Sequence, residues 1–163
     1  MKDKINTTEK VDILISALEE RYKALHVIRE RVQNVGVWLL GIFLASGGWL
    51  LQNDITLSLL QQTVYMLGIL SAVAVIRLRY LEDLETGFKS QQLATARIEK
   101  TLGLFTPGIY DDESDSVYPK KWEDSGKGNG GGKFFRTTYL LIYVGAAFLF
   151  IIVLMKGNII CYL

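Results

Sequence analysis

The sequence contains one cysteine, Cys161, and one histidine, His26. A single thiol excludes an intrachain disulfide and a cysteine-based zinc site. His26 has no partner set that would make a metal site, and it reads as a surface or interhelix hydrogen-bonder. Charge of one sign is also lacking: 18 basic against 17 acidic side chains leave a net charge of +1. No global cationic field marks a nucleic-acid binder. Clustered titratable groups of the kind a catalytic site requires are not evident, so neither an enzyme nor a cofactor is expected. The opening residues MKDKINTTEK are polar, and the first apolar run has no small-residue cleavage site behind it. They do not read as a signal peptide.

Two motifs invite a ligand and fail its chemistry. Gly126-Lys127-Gly128-Asn129-Gly130-Gly131-Gly132-Lys133 resembles a phosphate loop in composition. Phe134, rather than Ser or Thr, follows the lysine, and no strand precedes the run, so a flexible linker is the better reading. Asp111, Asp112, Glu113 and Asp115 lack the spacing and central glycine of a calcium loop and read as a solvated charged loop.

What the chain has in quantity is uncharged sequence. Half of its residues are hydrophobic, and the mean hydropathy is +0.23. Charge is missing altogether from Val32 to Asn53, from Ile55 to Ile76 and from Thr137 to Met155. Each stretch meets the requirement of ~20 apolar residues for crossing a hydrocarbon core. The rest of so short a chain could not cover three buried helices of this length. The expected fold is therefore an all-α integral membrane protein with three transmembrane helices.

Basic residues give an orientation, because Lys and Arg mark the cytoplasmic side. They are frequent before Gln33 and again from Arg77 to Arg136. The turn at Gln52-Asn53-Asp54 has none, and only Lys156 follows the third stretch. The N-terminus and the 77–136 segment are expected in the cytoplasm, with the Asn53 turn and the C-terminus on the opposite side of a cell inner membrane. Trp38 and Trp49 fall near opposite ends of the first span and suit the interfaces.

The cytoplasmic segments carry helical signals. Asn6 can cap, with Glu9 at the third position of a capping box. Ile15, Leu18, Tyr22, Leu25 and Val32 recur at spacings of three, four and seven, as do Leu81, Leu84, Phe88, Thr95, Ile98 and Leu102 after the second span. Gly103 before apolar Leu104 is placed to close that helix as a Schellman motif. The first two spans are therefore expected to form a long hairpin that continues into the cytoplasm as an antiparallel pair, with Tyr22 and Leu25 near Leu84 and Phe88. The expected units are a cytoplasmic amphipathic helix (1–34), a transmembrane hairpin (35–76), a second cytoplasmic helix (77–103), an irregular loop with a Gly-rich linker (104–136), and a third span with a short tail (137–163). Trp122, Phe134 and Phe135, among lysines, are read as interfacial anchors of that loop.

Within the spans, Gln61 and Gln62 are the polar residues of interest, because a side-chain amide in lipid needs a partner. They would line a wet path or bond between helices. Adjacent residues point about 100° apart, so one is expected to bond within its own protomer and the other to face the bundle centre or a neighbouring copy. Gly41, Ala45, Gly48, Gly68, Ala72 and Gly145 form small-residue faces that permit close helix approach, within the chain or in an oligomer.

The order of helix, short-turned hairpin and helix, with RYKALHVIRERVQ before the first span and RLRYLEDLETGF after the second, resembles the layout of SLATT-type bacterial membrane proteins. The likeness covers roughly the first hundred residues. It implies a homo-oligomeric, pore-forming effector linked to nucleotide-signalled antiviral systems, with a cytosolic protein or a nucleotide signal as its controlling partner. The third span and the Gly-rich loop depart from the two-span pattern. The competing expectation is a membrane anchor or scaffold whose cytoplasmic helices recruit a soluble protein.

Overall fold

A computed structural model describes residues 6–110, 115–127 and 132–157. Asp111, Asp112, Glu113, Cys161 and the glycines at 128, 130 and 131 lie outside the described residues. The architecture is all-helical. Helix α1 covers Thr7–Gln52, α2 Leu59–Val75, α3 Glu82–Thr101 and α4 Lys133–Met155. A π-helical turn, Ile76–Leu81, joins α2 to α3, and a 3-10 turn covers Lys120–Trp122. Among the described residues there is no strand, only an isolated bridge between Leu57 and Gly157. Three helices are long and apolar enough to cross a membrane: α1, the continuous Leu59–Thr101 helix, and α4.

Contacts divide the chain into two units, Met1–Arg29 with Glu85–Gly131 and Glu30–Leu84 with Gly132–Leu163. In the second unit, α4 is the central helix. Its buried residues Phe135, Thr138, Ile142, Gly145, Leu149 and Ile152 follow one another at spacings of three and four, which puts them on one face. Val32, Gly36, Phe43, Gly47 and Leu50 form the matching stripe on α1. The glycines are where the two stripes meet. A Cβ at Gly36 would lie 2.9 Å from Thr138 Cγ2, at Gly145 2.9 Å from Phe43 Cδ2, and at Gly47 2.8 Å from Ile152 Cδ1. Residue numbers rise together along both helices, so α1 and α4 run parallel. On the other side, Gln62 of α2 meets Val153 of α4, whereas Arg77 lies over Tyr139 and Tyr143. That pairing is antiparallel. α4 packs on both α1 and α2, and these two flank a groove with Leu149 of α4 among its lining residues.

In the first unit, the expected Schellman closure is present. Leu104 N–H bonds Glu99 O at 3.1 Å and Gly103 N–H bonds Lys100 O at 3.0 Å, with Gly103 at φ +80°. The register of α1 against α3 differs from expectation. The Tyr22 hydroxyl donates to Glu99 at 2.5 Å, and Arg21 Nη1 donates to Gln91 Oε1 at 2.8 Å. Glu99 follows Phe88 by three helical turns, roughly 16 Å of axis. Polar tips meeting buried polar groups set this register, where the sequence reading had matched apolar to apolar. Nor does the expected α1 stripe form a core here, because no residue of α1 before Val32 is buried. Val11, Ile13 and Ile15 remain exposed.

Residues 104–110 and 115–127 are less irregular than their sequence suggests. Tyr118 N–H bonds Leu104 O at 3.0 Å, and the Tyr118 ring packs on Phe105 and Trp122, with centroids 6.1 and 5.7 Å away. Gly126, read as linker, lies against the backbone of α3. At φ +86°, a Cβ there would come within 2.7 Å of Leu93 N and 2.8 Å of Lys89 O. Only glycine satisfies both constraints. Gly126→Ala is expected to detach residues 115–127 from α3, seen as faster proteolysis after Lys120, Lys121 or Lys127; unchanged digestion would contradict this packing.

Candidate functional site

Three places in the fold gather the polar and small residues that the sequence singled out. The first is the end of the second unit at the α1–α2 turn. Ser58 caps α2, and Gln61 completes a capping box with it: Ser58 N–H donates to Gln61 Oε1 at 3.0 Å. Gln61 therefore serves the helix end, and its side chain bonds within its own chain. Gln62 is only 2% exposed, and its amide donates to Val153 O at 2.9 Å and to Leu154 O at 3.3 Å. These carbonyls belong to the last turn of α4, where intrahelical donors run out. Lys156 adds a second tie. Its Nζ donates to Asn53 O at 2.8 Å, and its carbonyl accepts from Leu57 N–H at 2.8 Å. The α1–α2 turn, the start of α2 and the end of α4 are thus latched by polar groups satisfied inside one chain.

The second place is the pair of grooves between α1 and α2. One encloses about 560 Å³, and Ala45, Ser46, Gly68 and Ala72 are among the residues lining it. Of the expected packing residues, Gly145 is used within the chain. Gly41, Gly48 and Gly68 are not, since a Cβ at each would meet nothing within 4 Å. Gly41, Ala45 and Gly48 follow at helical spacing and leave one open, low-relief face on α1. Gly36 and Gly47, not among the residues singled out, do the intrachain packing instead. The other groove, about 510 Å³, lies between α1 and the π-helical turn, with Arg31 and Arg79 in its lining.

The third place is the Tyr22–Glu99 pair in the first unit. Glu99 is 6% exposed. Tyr22 donates to it and also lies 3.4 Å from the Tyr118 hydroxyl. Burial, then the hydrogen bond to Glu99, pushes the Tyr22 hydroxyl far above its ordinary value. A phenol with a raised pKa contributes stability that is complete below pH ~10 and is lost as pH rises through the raised value. Tyr22 is 41% exposed overall, so an alkaline absorbance titration should show one tyrosine that ionises later than the others; Tyr22→Phe should remove that late step and cost about 1–3 kcal/mol, because the buried carboxylate loses its donor. A smooth titration of all tyrosines near the ordinary value would contradict the pairing. At the surface, Lys100 is held protonated by Glu123, and Lys127 keeps the Asp124 carboxyl below its usual range. These are exposed pairs of little energetic weight.

Of the expected interfacial anchors, Trp38 and Trp49 are exposed, Trp38 at 73%. Trp122 packs on Tyr118 in the first unit, and Phe135 is buried, paired with Phe134 at a centroid distance of 4.5 Å. Phe135 begins the buried α4 stripe, which the loop reading of 104–136 had cut off. Among the described residues no group of three or more His, Cys, Asp or Glu side chains is placed to hold a metal ion.

No family model matches the chain, and neither the curated proteins nor the solved structures contain a match to it.

Proposed function

We propose that the chain is a multi-pass protein of the inner membrane that assembles with copies of itself and breaches the bilayer under control of its cytoplasmic helices. The observation that carries this reading is the set of glycines left open. Lipid tails are as apolar as the helices, so spans associate through close packing of small residues. The protomer uses Gly36, Gly47 and Gly145 for its own packing and leaves Gly41, Gly48 and Gly68 bare. A second copy is the occupant such faces suit. The resemblance of the first hundred residues to SLATT-type effectors supports the same reading and suggests a role in antiviral defence. Gln61 and Gln62 are satisfied inside one chain, so any conducting path is lined by the α1 and α2 faces of several copies.

The orientation rests on the basic residues: the N-terminus and 77–136 cytoplasmic, the Asn53 turn and C-terminus outside, with the first two spans continuing as an antiparallel pair of cytoplasmic helices. With Cys161 replaced by serine, a cysteine at Asn53 is expected to react with an impermeant reagent on intact cells, while cysteines at Lys23 and Lys127 stay protected. Labelling at Lys127 would reverse the topology. Function is tested by expressing the protein and reading membrane potential. Depolarisation that disappears in Gly48→Leu supports the effector; a harmless protein opposes it.

A second reading is favoured by the bare apolar residues Val11, Ile13 and Ile15 on α1. They suit a soluble protein recruited to a passive membrane anchor. Exchanging the spans for unrelated ones would preserve an anchor and abolish an effector.

A further inference from the structure

The groove between α1 and the π-helical turn differs from the other in charge. Arg31 and Arg79 are its only charged lining residues. Both are exposed, and neither guanidinium has a hydrogen bond or an ion pair among the described residues. Asn34 and Tyr80 add hydrogen-bonding groups at the same mouth, while Val35, Leu39 and Ile76 make the wall apolar. Trp38 also lines the groove and is 73% exposed. A cationic mouth, an apolar wall and a bare indole match a molecule with an anionic head and a hydrocarbon body.

The two arginines of Ile76–Leu81 stand two residues apart and so point to opposite sides of the helix. Arg77 lies over the Tyr139 and Tyr143 rings of α4, 6.0 and 5.8 Å from their centroids. Arg79 lines the groove on the α1 side. One cation is thus held within the protomer and the other is left for a ligand. Single-turn π segments occur often at functional sites, where they re-aim a side chain within a helix.

We infer that this groove binds an acidic phospholipid of the cytoplasmic leaflet, its phosphate between Arg31 and Arg79 and an acyl chain along Val35, Leu39 and Ile76. Basic pockets between spans on the cytoplasmic side recognise such headgroups, and arginine's fork suits phosphate geometry. The inference rests on the membrane orientation proposed above. Bound lipid would tie α1 to the π-helical turn at the leaflet surface, so bilayer charge would bear on the arrangement of the spans.

The test is native mass spectrometry of the detergent-purified protein titrated with phosphatidylglycerol or phosphatidylcholine. The parent should retain phosphatidylglycerol selectively. Arg31→Gln with Arg79→Gln should weaken its retention roughly 30-fold, taking each basic residue at its ordinary worth near an anionic surface. The Arg31→Lys with Arg79→Lys variant keeps the charge and should retain most of the binding, which separates a lost site from a misfolded protein. Arg136→Gln, at the start of α4, should leave retention unchanged. Equal retention of the two lipids, or an equal loss in Arg136→Gln, would overturn the inference in favour of diffuse surface charge. A change of subunit number in place of lipid loss would show that a second copy fills the groove, and would also overturn it. Carbonate-resistant insertion into liposomes is measured in parallel. An inserted protein without lipid selectivity refutes this site alone, whereas a protein that does not insert refutes the membrane reading as well.

Discussion

Gly157→Ala is expected to open the polar latch between α2 and α4 and to lower stability in detergent by about 2–3 kcal/mol. The added methyl would lie 1.6 Å from Gln62 Nε2 and 2.1 Å from its Cδ, so the amide must leave its place. Gln62 is almost fully buried and holds the carbonyls of Val153 and Leu154. Displacement exchanges two hydrogen bonds for an unpaired buried amide. Gln62→Ala alone should cost less, about 1–2 kcal/mol, in the range of hydrogen bonds between spans. Combining the two provides the decisive comparison. With the amide gone, the Gly157 methyl has room, so the double variant should be about as stable as Gln62→Ala. Additive losses in a thermal or denaturant series would show that Gln62 does not occupy the space beside Gly157.

Gly145→Leu and Gly48→Leu should separate folding from assembly. At Gly145 even a Cβ meets Phe43 Cδ2 at 2.9 Å and Leu40 Cδ1 at 3.1 Å. A leucine there forces α1 from α4 along the stripe that forms most of the buried core, with a loss of about 3 kcal/mol. At Gly48 an added Cβ meets nothing within 4 Å. Leucine also exceeds glycine in helix propensity by roughly 0.8 kcal/mol. The Gly48→Leu protomer should therefore melt at or above the parent's temperature while its native mass falls toward one chain. Should Gly48→Leu lower the melting temperature as Gly145→Leu does, the open face would belong to the protomer's own packing.

The contrast between these glycines shows where sequence stops being informative. Three uncharged stretches were enough to place three long apolar helices, and Gly103-Leu104 was enough to place the end of α3. Which glycines pack inside the chain was not legible. Gly41, Gly47 and Gly48 all lie in one uncharged stretch, and only the azimuth of α4 decides among them. A signal for that azimuth was present: Phe135, Thr138, Ile142, Gly145, Leu149 and Ile152 keep a spacing of three and four. It was masked because the rest of α4 from Tyr139 onward is hydrophobic too, so hydropathy alone shows no face.

The partners of the polar residues were hidden for a different reason. α2 starts only at Leu59, so Gln61 stands in its first turn and its side chain serves the helix end. Ser58 and Gln61 at capping-box spacing were a readable sign of that boundary. The partner of Gln62 lies 91 residues away, and no local pattern reveals it. The π-helical turn carries no sequence signature either; it was read as plain helix. Gly126 belongs to a glycine-rich run and so reads as linker, whereas its approach to the backbone of α3 fixes its place.

The central claim is that the open faces of α1 and α2 join several copies into an assembly that breaches a bilayer. Its most direct test is purified protein in liposomes, with dye release read beside the subunit number of the same sample. The account requires the parent to be oligomeric and to release dye, and Gly48→Leu to insert, remain folded, lose subunits and retain dye. A parent that inserts as a single chain and leaves the liposomes tight would contradict it.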